Sequence, residues 1–129
     1  MPGTESPDPL EEIACRFEVR MAEEHARACP ADLDALRALA YAYTAARRYE
    51  EALSTDLALV ARDPSRADLC YDLACSYALL RRADEAFDAL ERALALGFDD
   101  GDCLALDDDL ASLHGDPRWK AVVSRLPPA

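Results

Sequence analysis

The sequence predicts an all-α fold of stacked helix pairs, and three observations carry that prediction. Apolar residues recur at three-and-four spacing through most of the chain, the period of one buried helix face. Residues 67–100 repeat residues 33–66 at a fixed offset of 34, and self-similarity at such a period marks a repeat architecture. Aromatics are only 7% and Gly only four of 129 residues, while Ala and Leu dominate; this suits closely packed helices and not a β-sandwich. The length fits one domain, placed at residues 10–126. An apolar content of 51% supplies a core, and a chain of this size buries roughly two thirds of its unfolded surface.

Each helix can be placed in turn. Residues 1–9 are rich in Pro and polar side chains and read as a mobile lead-in. Asp8-Pro9 opens the first helix, at residues 10–28, with Leu10, Ile13, Ala14, Phe17 and Met21 as its expected buried face. Pro30 prevents its continuation. Asp32 caps a second helix at 33–46, with Leu36, Leu39, Ala40 and Tyr43 turned inward. A third runs over 49–62, with Ala52, Leu53, Leu57 and Val60 apolar, until Asp63-Pro64-Ser65 breaks it. The fourth, at 67–80, carries Leu69, Cys70, Leu73, Ala74 and Tyr77. The fifth, at 83–96, ends at Gly97, a left-handed cap. Asp99-Asp100-Gly101-Asp102 reads as a turn and 107–113 as a short helical turn. Asp116-Pro117 opens a last helix with Trp119, Val122, Val123 and Leu126 on its apolar face. This helix is expected to cap the last repeat. Residues 127–129 are a tail.

Charge and cysteine content narrow the function. Thirteen Arg and one Lys stand among 26 acidic residues, for a net charge of −12 and a pI near 4.4. A nucleic-acid binder needs a dense cationic face, so neither nucleic acid nor an anionic membrane is an expected partner. No apolar run reaches the roughly 20 residues of a membrane span. The start of the chain lacks the basic and apolar segments of a signal peptide. Five Cys at positions 15, 29, 70, 75 and 103, with no C-x-x-C pair, fit reduced cytoplasmic thiols. The absence of Asn and Gln, with Arg far outnumbering Lys, points to a GC-rich bacterial genome.

The repeat shares Asp34/Asp68, Leu39/Leu73, Ala40/Ala74, Tyr43/Tyr77, Arg47/Arg81, Arg48/Arg82, Glu51/Glu85, Ala52/Ala86 and Ala61/Ala95. Small residues recur where antiparallel helices must approach closely, and large ones beside them. Leu39-Ala40-x-x-Tyr43 with Ala52, and Leu73-Ala74-x-x-Tyr77 with Ala86 and Ala93, resemble the tetratricopeptide repeat family. Pro64 matches that family's closing Pro. The segment from Gly97 through Pro117-Arg118-Trp119 resembles the end segment of many small bacterial members. The resemblance covers about three quarters of the chain. It implies a right-handed solenoid of antiparallel helix pairs: a degenerate half-repeat at 10–32, repeats at 33–66 and 67–100, and a capping segment at 101–126. Arg47 and Arg81 depart from the pattern by standing where Gly is usual.

In that family the first helix of each repeat lines a concave, partner-binding face. The resemblance assigns Asp34, Arg37, Tyr41, Thr44 and Ala45 to that face, then Asp68, Tyr71, Cys75, Ala78 and Leu79. A subgroup clamps the C-terminal carboxylate of chaperones with Lys, Arg and Asn. Here Tyr41, Asp72 and Cys75 stand where those donors would be, so a basic or apolar protein or peptide is the expected partner. No catalytic residue, metal ligand or cofactor site emerges. Cys70 and Cys75 lie on different helical faces, His25 and His114 are isolated, and the Asp-rich segment lacks a calcium-loop pattern. The expected function is therefore a non-enzymatic protein–protein interaction module. The alternative is a homo-oligomeric assembly subunit that uses an exposed solenoid end.

Overall fold

A computed structural model describes residue 6 and residues 8–127, and the described chain is all-helical. The expected lead-in (1–9) and tail (127–129) lie outside the described residues except at positions 6, 8, 9 and 127, where Pro9 already belongs to the first helix. The elements are α1 (Pro9–Ala28), α2 (Leu33–Ala45), α3 (Tyr49–Arg62), α4 (Ala67–Leu79), α5 (Ala83–Ala95), α6 (Gly101–Leu106), a 3-10 helix (Asp108–Leu113) and α7 (Pro117–Ser124). Aspartates open five of them. Asp8, Asp32, Asp100, Asp107 and Asp116 each accept a hydrogen bond from an amide of the first turn, satisfying donors that the helix itself cannot.

The 34-residue period reaches further than the two-repeat reading. Helices begin at residues 33, 67 and 101, and again at 49, 83 and 117. Residues 101–124 therefore occupy the register of a third pair, whose first member is broken into α6 and the 3-10 helix. The expected turn at 99–102 is corrected accordingly: Asp100 caps α6, which starts at Gly101. Shifted back by 34, the end of α3 falls on the end of α1 at Ala28, so α1 stands in the place of a second helix.

The turns repeat too. Arg47 and Arg81 both have φ of 61°, and Gly97 has φ of 103°. At each, two amides close back on the preceding helix: Arg48 N to Tyr43 O, Arg82 N to Tyr77 O and Phe98 N to Ala93 O, at 2.8–2.9 Å, with Arg47, Arg81 and Gly97 bonding the next carbonyl along, of Thr44, Ala78 and Leu94. This left-handed cap satisfies the last carbonyls. In the first two copies the following Arg then lies over the helix's Tyr, Arg48 at 4.9 Å from the Tyr43 ring and Arg82 at 5.1 Å from Tyr77. Each also pairs with the Glu three residues on, Glu51 or Glu85.

The core sits between α4 and its neighbours α3, α5 and the 3-10 helix. Ala40, Ala52, Ala74 and Ala86 are almost wholly buried at the helix crossings, as the size pattern requires. Leu104, Leu110, Leu113 and Val122 close the C-terminal end, with Trp119 and Leu126 packed beside them. Val123, expected on that face, is exposed.

Two buried faces are corrected. On α1, Leu10, Ile13, Phe17 and Met21 are 73, 56, 62 and 49% exposed, and Ala14 is exposed as well. Val19 is the residue this helix buries, with Ala22 and Ala26 packed beside it against α2. The small arc wins because it lets α1 approach α2 closely, which the bulky arc would prevent. On α3, Leu57 is exposed while Thr55, Asp56 and Leu59 are buried. The helix is rotated so that Asp56 takes a core position and meets Ser76 of α4.

The left-handed arginines give a direct test. A side chain at positive φ costs roughly 1–2 kcal/mol, and Gly removes that cost while gaining some unfolded freedom. Arg81→Gly is expected to raise the thermal midpoint by about 3 °C, followed by circular dichroism, and Arg47→Gly to add a similar increment. A lower midpoint would show that these side chains stabilise the turn by more than the strain they carry.

Candidate partner-binding cleft

Helices α2 and α4 lie side by side, and the tail crosses in front of α4, so that a cleft of about 320 Å³ opens between them. Its walls include Arg37, Tyr41 and Thr44 from α2, Asp68, Tyr71, Asp72, Cys75 and Leu79 from α4, and Phe98, Cys103, Asp107 and Asp109 from the tail. Seven of the ten residues assigned to the binding face thus share one cavity: Arg37, Tyr41, Thr44, Asp68, Tyr71, Cys75 and Leu79, and Ala45 and Ala78 do not line it. Asp34 is exposed and lies outside it.

Their roles in the wall differ. Arg37 spans the two helices, donating from Nε to Asp72 Oδ2 at 2.7 Å and from Nη1 to Asp68 Oδ2 at 3.0 Å. Tyr41 is half exposed and donates its hydroxyl to Asp72 at 3.1 Å. The Arg37 guanidinium lies 5.3 Å from its ring centroid. Arg66 also grips Asp68, donating from Nη2 to the same Oδ2 at 2.7 Å and from Nε to Oδ1 at 3.1 Å. Thr44 gives its hydroxyl to Ala40 O, one turn back. Tyr71 is buried, not an open anchor: its ring stacks on Phe98 at 4.5 Å and 7°. Its hydroxyl donates to Asp107 Oδ2 at 2.6 Å and accepts from Cys103 Sγ at 3.4 Å. Burial, then the bond to Asp107, raises the Tyr71 hydroxyl far above the ordinary tyrosine range, so it stays a donor.

Sequence reasoning placed Asp68 and Asp72 on an acidic face but missed Asp56, Asp107 and Asp109, which also line the cleft and come from α3 and the tail. Asp107 is 36 residues from Tyr71, so no local pattern joins them. Cys75 Sγ and carboxylate oxygens of Asp107 and Asp109 lie within 4.8 Å of one another, the one trio of this kind among the described residues. Burial and the neighbouring Asp107 raise the Cys75 thiol. The trio is therefore a protonated thiol beside two carboxylates. Burial, then Asp107 and Asp108, pushes Asp109 up. Such a corner attracts positive charge from any cationic group that enters. The cleft carries five Asp and one Arg, and that Arg is already engaged by two of the Asp.

No family model, curated protein or solved structure matches the chain. Among the described residues no helix is long and apolar enough to cross a membrane.

Asp56 at the cleft floor makes stability depend on pH. It is buried and accepts from Ser76 Oγ at 2.5 Å. Burial raises it to about 7, with the Ser76 bond opposing and Asp72 adding to the rise. The folded chain thus holds a proton that the unfolded chain releases near pH 4. This contribution to stability is full below pH 4 and is lost as pH rises toward 7, by an amount on the order of a few kcal/mol. Asp56→Asn is expected to melt several degrees above the parent at pH 8, with the gap closing toward pH 4. Equal midpoints for both proteins at pH 8 would mean that Asp56 is not desolvated.

Proposed function

We propose that the protein is an interaction module that receives a basic segment of a partner protein in the cleft between α2, α4 and the tail. The scaffold in this reading is a tetratricopeptide-like solenoid, with residues 10–32 as a degenerate half-repeat. The recurrence of helix starts, left-handed turns and buried alanines every 34 residues supports it. Residues 101–126 then serve both as a shortened third unit and as the cap. Five unbridged thiols suit a reducing, cytoplasmic setting.

The observation that carries the function is the cleft's charge and how it is arranged. Arg37 is committed to Asp68 and Asp72, which leaves the Asp107–Asp109 corner to attract an incoming Lys or Arg. Tyr41, half exposed at the mouth, offers an aromatic face for a guanidinium or an aliphatic stem. The Tyr71–Phe98 stack and the bond from Tyr71 to Asp107 hold the wall before any partner arrives, which lowers the ordering cost of binding. A rigid helical groove reads extended or helical peptides through a few such anchors.

Fluorescence anisotropy with a labelled peptide of alternating Lys/Arg and Leu, against its Glu counterpart, tests this directly. The basic peptide is expected to bind in the micromolar range and to weaken as salt shortens the reach of the charges. Asp109→Asn and Tyr41→Ala should each weaken it by about 3- to 10-fold, or roughly 1 kcal/mol, without changing the circular dichroism. Equal binding of the acidic peptide, or no loss in either variant, would refute a cation-selective cleft.

A further inference from the structure

The outer face of α1 is an exposed apolar stripe. Leu10, Ala14, Phe17 and Met21 follow four-three-four spacing with Ile13 beside them. All five are exposed, while Cys15, Val19, Ala22 and Ala26 on the opposite arc turn toward α2. In the 34-residue register α1 stands where a second helix stands.

The edges of the bare stripe carry opposite charge. At 100° per residue, Glu11, Glu18 and His25 fall along one edge, and Arg16, Arg20 and Arg27 along the other. All six are exposed. Glu24 lies on the stripe itself, near its C-terminal end. This asymmetry selects an occupant. A second copy related by a two-fold axis running along α1 would be parallel, with each acidic edge against the other's basic edge. An axis across the helix would make the pair antiparallel and set acid against acid and base against base. We propose that α1 is a homodimer interface in which two copies pair in parallel, Phe17 on Phe17 and Ala14 on Ala14. Glu11 and Glu18 of each copy then face Arg16 and Arg20 of the other. The stripe would bury on the order of 1,000 Å² across both copies, the lower end for a specific interface, so the dimer should be of micromolar strength.

Sedimentation velocity over a concentration series is the test. The parent chain should pass from monomer to dimer between about 1 and 500 μM. Phe17→Glu, at an exposed site that leaves helicity unchanged, should weaken association at least tenfold. Arg16→Glu with Arg20→Glu should also weaken it, and mixing that variant with one carrying Glu11→Arg and Glu18→Arg should restore a heterodimer. Under mild oxidation Ala14→Cys should form a disulfide mapped to position 14 of both copies. A chain that is monomeric at 500 μM, or a dimer indifferent to Phe17→Glu, overturns the interface. A disulfide joining position 14 to another position overturns the parallel pairing.

Discussion

The molecule depends on α4 being covered on nearly every side. Eight of its thirteen residues are buried, and it packs on α3, α5 and the 3-10 helix. A helix that is apolar almost all round is stable only when its neighbours arrive from several directions. α4 therefore needs the hairpin before it, the helix after it and the tail across its front. The cleft exists because the tail covers only part of that front. Asp107 and Phe98 close over Tyr71, while the side facing α2 stays open at Tyr41.

Polar groups built into this core fix how the elements meet. Asp56 reaches across from α3 to Ser76, Arg37 from α2 to Asp72, Tyr71 from α4 to Asp107, and Ser112 from the 3-10 helix to the Ala78 carbonyl at 2.9 Å. Together they tie α3, α2 and the 3-10 segment to α4, so sliding any of these past α4 leaves a buried polar atom without a partner. Among the described residues no buried side-chain nitrogen or oxygen lacks one. Apolar packing alone between Ala- and Leu-rich helices would tolerate several registers. These bonds single one out.

What could be read in the sequence was what is local. Aspartate caps, the proline breaks and the 34-residue echo need only neighbouring residues or a constant offset, and the helices follow them closely. The buried face of α1 was not legible, because its helical wheel offers two apolar arcs. Size favours Leu10, Ile13, Phe17 and Met21 for the interior, yet close approach to α2 favours Cys15, Val19, Ala22 and Ala26, and only the tertiary arrangement decides. The start of α6 at Gly101 was hidden by an Asp- and Gly-rich stretch that resembles a turn, although counting 34 from Ala67 points to it. In the cleft, positions on α2 and α4 could be inferred from the repeat. The same offset points to Asp109, 34 residues after Cys75 and 68 after Tyr41, but not to Asp107, whose counterparts Leu39 and Leu73 are buried core residues.

The constant spacing of helix starts makes the chain a ruler with a graduation of 34 residues. The left-handed turns and the crossing alanines of the two full units fall on that graduation. A duplicated block of that length, spliced at a boundary such as Pro30 or Pro64, brings its own caps and leaves every other helix facing its old neighbours in kind. A block a few residues longer or shorter rotates all that follows by about 100° per residue and turns apolar faces to water. The gene can therefore lengthen the stack in whole steps, but fractional steps are closed to it.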